Sequence, residues 1–496
     1  MKQSWLYKIN SANHNTNILW NYINTINYKE MTMRKFKEKY IGDKAFYTSV
    51  LALVVPMIIQ NVITNFVSML DNIMVGQLGT EAMNGVSIAN QFIFIFNITI
   101  FGAISGPGIF GAQFYGKQDH EGQKQTFRFR LLISLVVVIL FFIVYSIFTE
   151  PLLSLYIAKD DAPELIEATL AYGKQYMSVI MISLVPFAFG QSYASVVREC
   201  GETRIPMFGS MAAVFINLIL DYGLIFGKLG MPELGVTGAA IATVVAKFVE
   251  AGVVIVWAHT HVERNKYIIG LFKGFKIKGS LLKSMIIKGT PLLVNEFLWV
   301  VGVSVISQCY SIRGLDVVGA RNIANVISNL FGVVYLQLGA ATAIIIGNKL
   351  GAGKLKEARD TDNKLLAFSV FIATCVALIM IPFAYGFPKL YNTTDEIRAL
   401  ASYIIIATAV AMPMWAYTNT CYFTLRSGGK TTITFLFDFV FGWVLQIPLA
   451  FLLCYKTTFD FKIVFAIVTY LEIIKVIIGY FMVRSDTWIV NIVDKD

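Results

Sequence analysis

Pro56, Gly79, Ile88-Ala89-Asn90, Phe96, Gln113 and Gly116 mark out a stretch that returns later in the chain. There it reads Pro291, Gly314, Ile323-Ala324-Asn325, Phe331, Asn348 and Gly351. The offset stays at about 235 residues over roughly sixty positions, far longer than the 20–50-residue period of a solenoid, so each copy belongs to half a protein. A second matched pair follows each copy: Arg198-x-x-Gly201-x-Thr203 and Arg426-x-x-Gly429-x-Thr431. Two homologous halves in an apolar chain are the usual plan of a secondary transporter, with substrate bound between them.

The composition supports that plan. Hydrophobic residues make up 56% of the chain and charged residues only 15%, against about 25% charged in soluble domains. This set of residues cannot build an ordinary water-facing surface. The net charge of +10 does not point to nucleic acid, because the basic residues sit in short loops between apolar runs, as topology control at a membrane requires. The five cysteines are scattered through apolar stretches without metal-ligand or disulfide spacing, and read as packing.

A spanning helix needs about 20 mainly apolar residues. Twelve stretches qualify: 47–72, 87–112, 131–149, 168–196, 206–227, 235–258, 283–310, 320–346, 365–387, 397–424, 432–455 and 461–483. Six fall in each half, so the repeats are parallel, related by an axis along the membrane normal. The expected organisation is a basic, Asn-rich cytoplasmic extension over 1–46, a first lobe over 47–262, a Lys- and Gly-rich cytoplasmic linker over 263–282, a second lobe over 283–484 and a cytoplasmic tail over 485–496. Met31 and Met33 precede the basic stretch that begins at Arg34 and mark the expected start of translation, a disordered tail being the other reading. With the N-terminus inside, about 20 Lys and Arg fall on the cytoplasmic side and about 8 on the other. That places both termini inside, in a multi-pass protein of the plasma membrane.

Ionisable groups inside a bilayer are costly, so each is a functional candidate unless a partner neutralises it. Asp71 in the first span and Asp221 in the fifth have no cation within a turn on their own helix. Asn217 stands four residues before Asp221, on the same face. Counting from Ile205 at about 1.5 Å per residue puts Asp221 about 24 Å along its helix, in the outer half, and the long first span brings Asp71 to a similar depth. Two carboxylates beside an amide suit a site for a proton or Na⁺; the alternative is a water-boundary Asp71 and a local hydrogen-bond network at Asp221. Glu296, near mid-depth of the seventh span, is the other unpaired acid; facing a central cavity it would draw a cationic substrate, the alternative being a structural hydrogen bond to another helix. Lys247 with Glu250 and Glu472 with Lys475 are spaced i, i+3 and read as locally cancelling pairs. Asp438 lies about two turns from the cytoplasmic end of the eleventh span, where it can face water, and is left unassigned.

The loops at Gly116-Lys117-Gln118-Asp119 and 347–354 lack the spacing of a phosphate cradle and read as tight turns that use glycine's freedom at positive φ. His259 and His261 lack a third metal ligand. No catalytic constellation appears, so the expectation is neither an enzyme nor a protein with a resident cofactor. Pro56 lies below Asp71 in the first span, so charge at Asp71 is expected to couple to bending at Pro56.

In this order, Leu70-Asp71-Asn72-Ile73-Met74-Val75-Gly76-Gln77-Leu78-Gly79, Arg198-Glu199-Cys200-Gly201-Glu202-Thr203-Arg204, Asn217-Leu218-Ile219-Leu220-Asp221, Gly238-Ala239-Ala240-Ile241-Ala242-Thr243 and Gly347-Asn348-Lys349-Leu350-Gly351-Ala352-Gly353 make the chain resemble the MATE (multidrug and toxic compound extrusion) family of secondary transporters over about 47–484. The likeness is to the bacterial branch whose first lobe holds the cation-coupling acids. It implies an all-α, twelve-helix, two-lobed V with alternating access. It also implies a cation site at Asp71, Asn217, Asp221 and Thr243, a hinge at Pro56, and a monomer exchanging H⁺ or Na⁺ for amphipathic, cationic organic compounds. Glu296 falls on the helix that carries an essential Glu in some relatives, where the spacing from the proline is about one turn longer. No acid lies between Pro413 and Arg426, where some relatives have a second-lobe cation site. The rival readings are a flippase for lipid-linked saccharides, which calls for a cationic cavity, and a membrane enzyme or channel, for which no motif appears.

Overall fold

A computed structural model describes residues 34, 37–157 and 162–494. Met31, Met33 and Lys159 lie outside them. Twelve spanning helices follow in order: α1 (Lys44–Gly76), α2 (Thr80–Lys117), α3 (His120–Ser154), α4 (Pro163–Glu199), α5 (Arg204–Phe226), α6 (Gly235–Thr260), α7 (Gly279–Ser311), α8 (Leu315–Gly351), α9 (Leu355–Gly386), α10 (Asp395–Ser427), α11 (Thr431–Lys456) and α12 (Phe461–Tyr470 continued by Glu472–Arg484). Among the described residues eleven are long and apolar enough to cross a membrane as single helices. The twelfth is divided by a turn at Leu471 into pieces of 10 and 13 residues, each short of a full span. Apolar side chains such as Ile143 and Ile147 on α3, Phe215 on α5, and Phe371 and Leu378 on α9 point outward and uncovered, as expected of surfaces facing lipid.

Each lobe has its own core. Val75, Ala82, Ala89, Phe96, Ile100 and Tyr145 belong to the first, and Ala320, Ile323, Ala324, Ala373, Ala401 and Ile405 to the second. The lobes join at the end that carries the linker. There α2 and α8 cross so closely that a Cβ on Gly116 would run into the carbonyl of Asn348, and one on Gly351 into the carbonyl of Gln113. The two contacts are each other's image across the repeat, an isologous contact inside one chain. Gly116 and Gly351 are therefore helical packing positions; the positive φ of the two turns falls on Gln118 (62°) and Gly353 (73°) instead. The other repeated glycines do need their freedom. Gly79 and Gly314 precede α2 and α8 with φ of 120° and 119°, a region open to glycine alone.

The residues after α12 strap the same end shut. The Gln113 side chain donates to Ser427 O (2.8 Å) and accepts from Ile492 N (2.8 Å), and Lys117 pairs with Asp494 (2.8 Å). Trp488 is fully buried beside Gly428.

Three arginines that the sequence places among loop charges are buried for reasons of architecture. Arg128 donates to the carbonyls of Gly270, Leu271, Lys273 and Lys276, which nails the linker to α3. Arg130 meets both oxygens of Glu199 at 2.8 Å. Arg426 reaches across the lobes to Ser105 O at 3.4 Å. Removing one member of a buried ion pair strands the other charge and typically costs about 3–5 kcal/mol, whereas removing both is far milder. Arg130→Met should therefore lower the detergent-solubilised protein's thermal stability sharply, with the Arg130→Met/Glu199→Met double variant recovering most of the loss. Thermal melts followed by size-exclusion recovery measure both.

Candidate functional site

The first lobe brings Asp71 of α1 and Asp221 of α5 together. Both helices run in the same direction from the linker end, so residues at matched height face one another. The two carboxyl groups lie close enough to interact directly. A carboxylate is an acceptor only, so that contact is a hydrogen bond only when one of the two carries a proton. Among the described residues no other donor reaches Asp71 Oδ1 or either oxygen of Asp221, and all three atoms are buried. Asp221 is 1% exposed and Asp71 half-buried. The amide nitrogen of Asn217 lies close to Asp221 but outside hydrogen-bond geometry.

Thr243 on α6 closes the group through Tyr176 of α4, whose hydroxyl is within reach of Thr243 and donates to Asn90 Oδ1 at 3.3 Å. Neither Tyr176 nor Asn90 emerged as a site residue from the sequence. The signal for Asn90 was present, since it belongs to the repeated Ile-Ala-Asn. Tyr176 is one of 23 tyrosines and carries no such mark. The set thus offers two carboxylates, an amide, hydroxyls and several unpartnered oxygens. That chemistry fits a proton or a hard monovalent cation. Among the described residues no group of three or more His, Cys, Asp or Glu is placed to hold a metal. His259 bonds Tyr193 (3.0 Å) and His261 stacks on Trp257, so both are structural.

Pro56 is buried in an unbroken α1. Its ring removes the N–H that would bond the carbonyl of Ala52. Thr203, the threonine of the first Arg-x-x-Gly-x-Thr, donates to that carbonyl instead at 3.3 Å. Thr203, the N-cap residue of α5, thus takes up the carbonyl that the proline frees.

Glu296 faces α2 of the other lobe: a Cβ on Gly102 would sit 3.5 Å from its Cγ. It makes no ion pair or hydrogen bond among the described residues, and Arg426 lies within electrostatic reach. Lys247 and Glu250 form the expected pair at 2.9 Å. Lys475 departs from expectation. Its closer partner is Asp438 at 2.7 Å, with Glu472 at 4.0 Å, because α11 carries Asp438 against α12. Asp438 also accepts from Asn295 at 3.0 Å.

Comparison with known proteins agrees with this architecture. The MatE family model matches the chain twice, over residues 56–223 and 291–452. A probable multidrug resistance protein NorM of Thermotoga maritima is 24% identical over 402 residues, covering 81% of this chain and 84% of that protein. A multidrug resistance protein MdtK of Yersinia pseudotuberculosis is 24% identical over 423 residues, covering 84% and 89%. Among solved structures, an outward-facing multidrug resistance MATE transporter superposes with a TM-score of 0.77 at 19% identity, covering 90% of this chain and 97% of that one. The bent form of the Vibrio cholerae MATE transporter VcmN does so with 0.77 at 20% identity, covering 90% and 99%. Two family matches, one on each half of a twelve-helix chain, place the protein in the MATE family of membrane transporters.

Proposed function

We propose that the protein is an antiporter that exports amphipathic, cationic organic compounds and draws its energy from H⁺ or Na⁺ bound at Asp71 and Asp221. The observation that carries this reading is the buried, donor-poor pair of carboxylates. A bilayer interior makes such a pair costly unless a cation binds there. The Asn217 amide and the Thr243 hydroxyl stand around it, with Tyr176 beside Thr243 and bonded to Asn90. The names of the similar proteins, multidrug resistance proteins NorM and MdtK, support the substrate class.

The linker end is taken as cytoplasmic, from the excess of Lys and Arg there. The lobes then meet on the cytoplasmic side, and the arrangement is an outward-facing one. The coupling ion enters from outside and reaches the acid pair. Its arrival alters the contact between α1 and α5, with Pro56 as the position where α1 can bend. The substrate leaves outward as the first lobe rearranges. The lobes then rock about the α2–α8 crossing to face inward, where the ion is released. Ion and substrate must weaken each other's binding in the outward state, by the reciprocity of linked equilibria. The substrate lies between the lobes, with Glu296 at their interface to favour positive charge. The chain acts as a monomer embedded in lipid.

In proteoliposomes, a pH gradient or a Na⁺ gradient should drive uptake of a cationic dye, and Asp221→Asn should abolish the effect of whichever gradient works. Dye movement that ignores both gradients would contradict the reading. Pro56→Ala should reduce gradient-driven transport several-fold while leaving the melting temperature unchanged or raised, since an interior proline is itself unfavourable in a helix; undiminished transport would remove the hinge from the cycle. Glu296→Gln should weaken binding of a monocationic dye by about tenfold, roughly 1.4 kcal/mol, and leave a neutral analogue unaffected, as fluorescence polarisation would show.

A further inference from the structure

A second polar rung lies eleven residues toward the linker end from the acid pair on both α1 and α5, about 16 Å below it. Gln60 of α1 donates to Ser210 of α5 at 2.8 Å, and Ser210 donates to Glu250 of α6 at 2.6 Å. Arg198 of α4 donates to Gln60 at 3.1 Å. Glu250 holds the ammonium of Lys247 at 2.9 Å.

The second lobe repeats this rung. Asn295 follows Pro291 by four residues, as Gln60 follows Pro56. Asp438 follows Thr431 by seven, as Ser210 follows Thr203. Lys475 lies as far beyond Thr431 as Lys247 lies beyond Thr203. The contacts repeat too, from Asn295 to Asp438 (3.0 Å) to Lys475 (2.7 Å).

The lobes differ in what lies above. Counted the same way, Asp71, Asn217, Asp221 and Thr243 correspond to Ile306, Leu445, Leu449 and Leu471. In the second lobe the lysine is clamped directly by Asp438, with Glu472 of its own helix at 4.0 Å, and no acid stands at the outer positions. In the first, Lys247 stands between the two rungs, one turn from Thr243 and one turn from Glu250. It is held by a single carboxylate of its own helix, and Asp71 lies within its electrostatic reach. The face of the Phe187 ring, 5.5 Å from its ammonium, adds a surface that tolerates a cation. A lysine's flexible four-carbon stem lets the charge swing without moving the helix.

We propose that Lys247 is a tethered cation that competes with the coupling ion for the Asp71–Asp221 pair, resting on Glu250 while the ion is bound and moving onto the acids as the ion leaves. This builds on the ion-coupling reading above. It supplies what that reading lacks, a counter-charge for the emptied acid pair in a place where water is scarce. The groups that face Lys247 are Glu250 on its own helix, Asp71 and Asp221 above, and Ser210 and Gln60 below, with Arg198 beyond them.

The test is calorimetric titration of the purified protein with Na⁺ and with H⁺. Glu250→Gln releases Lys247 from its resting partner and should raise the ion concentration at half-saturation by about tenfold. Lys247→Met/Glu250→Gln, which removes both charges together and strands neither, should lower it by about tenfold relative to wild type. A merely structural ion pair would move both variants the same way or neither, and that result overturns the proposal. Asp221→Asn is the control. Ion binding that survives Asp221→Asn would mean that the coupling site itself lies elsewhere, and the proposal falls with it. Binding lost in Asp221→Asn, without opposite shifts in the other two variants, overturns the role of Lys247 alone.

Discussion

Water is missing where most of this chain resides, and that constraint orders the rest of the structure. A charge with no solvent must find a partner, shed its charge or belong to the working parts. Arg130 has both oxygens of Glu199. Arg128 has four backbone carbonyls. Lys475 has Asp438. Asp71 and Asp221 have each other and little else, with three buried oxygens lacking a donor. A bilayer interior makes such a pair costly unless a proton or a cation joins it.

The internal repeat supplies a frame against which that exception can be read. The two halves meet by a crossing of α2 and α8 in which each glycine receives the other helix's carbonyl. Such a contact works equally well seen from either lobe, which suits a pivot. The lobes are alike at this crossing and at the inner polar rung. They differ farther out, where the first lobe carries acids and the second carries Ile306, Leu445, Leu449 and Leu471. On this account one half keeps an ion site while the other keeps only its scaffold, so the two lobes share a fold and divide the labour.

Much of this was legible in the chain itself. Long apolar runs marked the helices because the bilayer demands about 20 such residues per span. The repeated Pro, Gly and Asn positions marked the places where backbone geometry is special: Pro56 frees a carbonyl that Thr203 takes, and Gly79 and Gly314 adopt a conformation closed to other residues. Asp71 and Asp221 stood out because nothing on their own helices could neutralise them. What stayed hidden was partnership between helices. Arg128 and Arg130 look like loop charges until α3 is packed against the linker and α4. Asp438 looks solvent-facing until α12 brings Lys475 beside it. Tyr176 has no marker in sequence, because its place beside Thr243 and Asn90 arises only when α2, α4 and α6 close around it. The turn that divides α12 at Leu471 likewise leaves no proline or glycine as a sign.

The most direct test of the central claim runs the exchange backward. An outward gradient of a cationic dye is imposed on proteoliposomes at equal pH and Na⁺ on both sides, and the ion flux that the dye evokes is recorded with pH- and Na⁺-sensitive reporters. The account predicts that wild-type protein moves one ion opposite to the dye and that Asp71→Asn moves none. Ion movement of undiminished size in Asp71→Asn would contradict it.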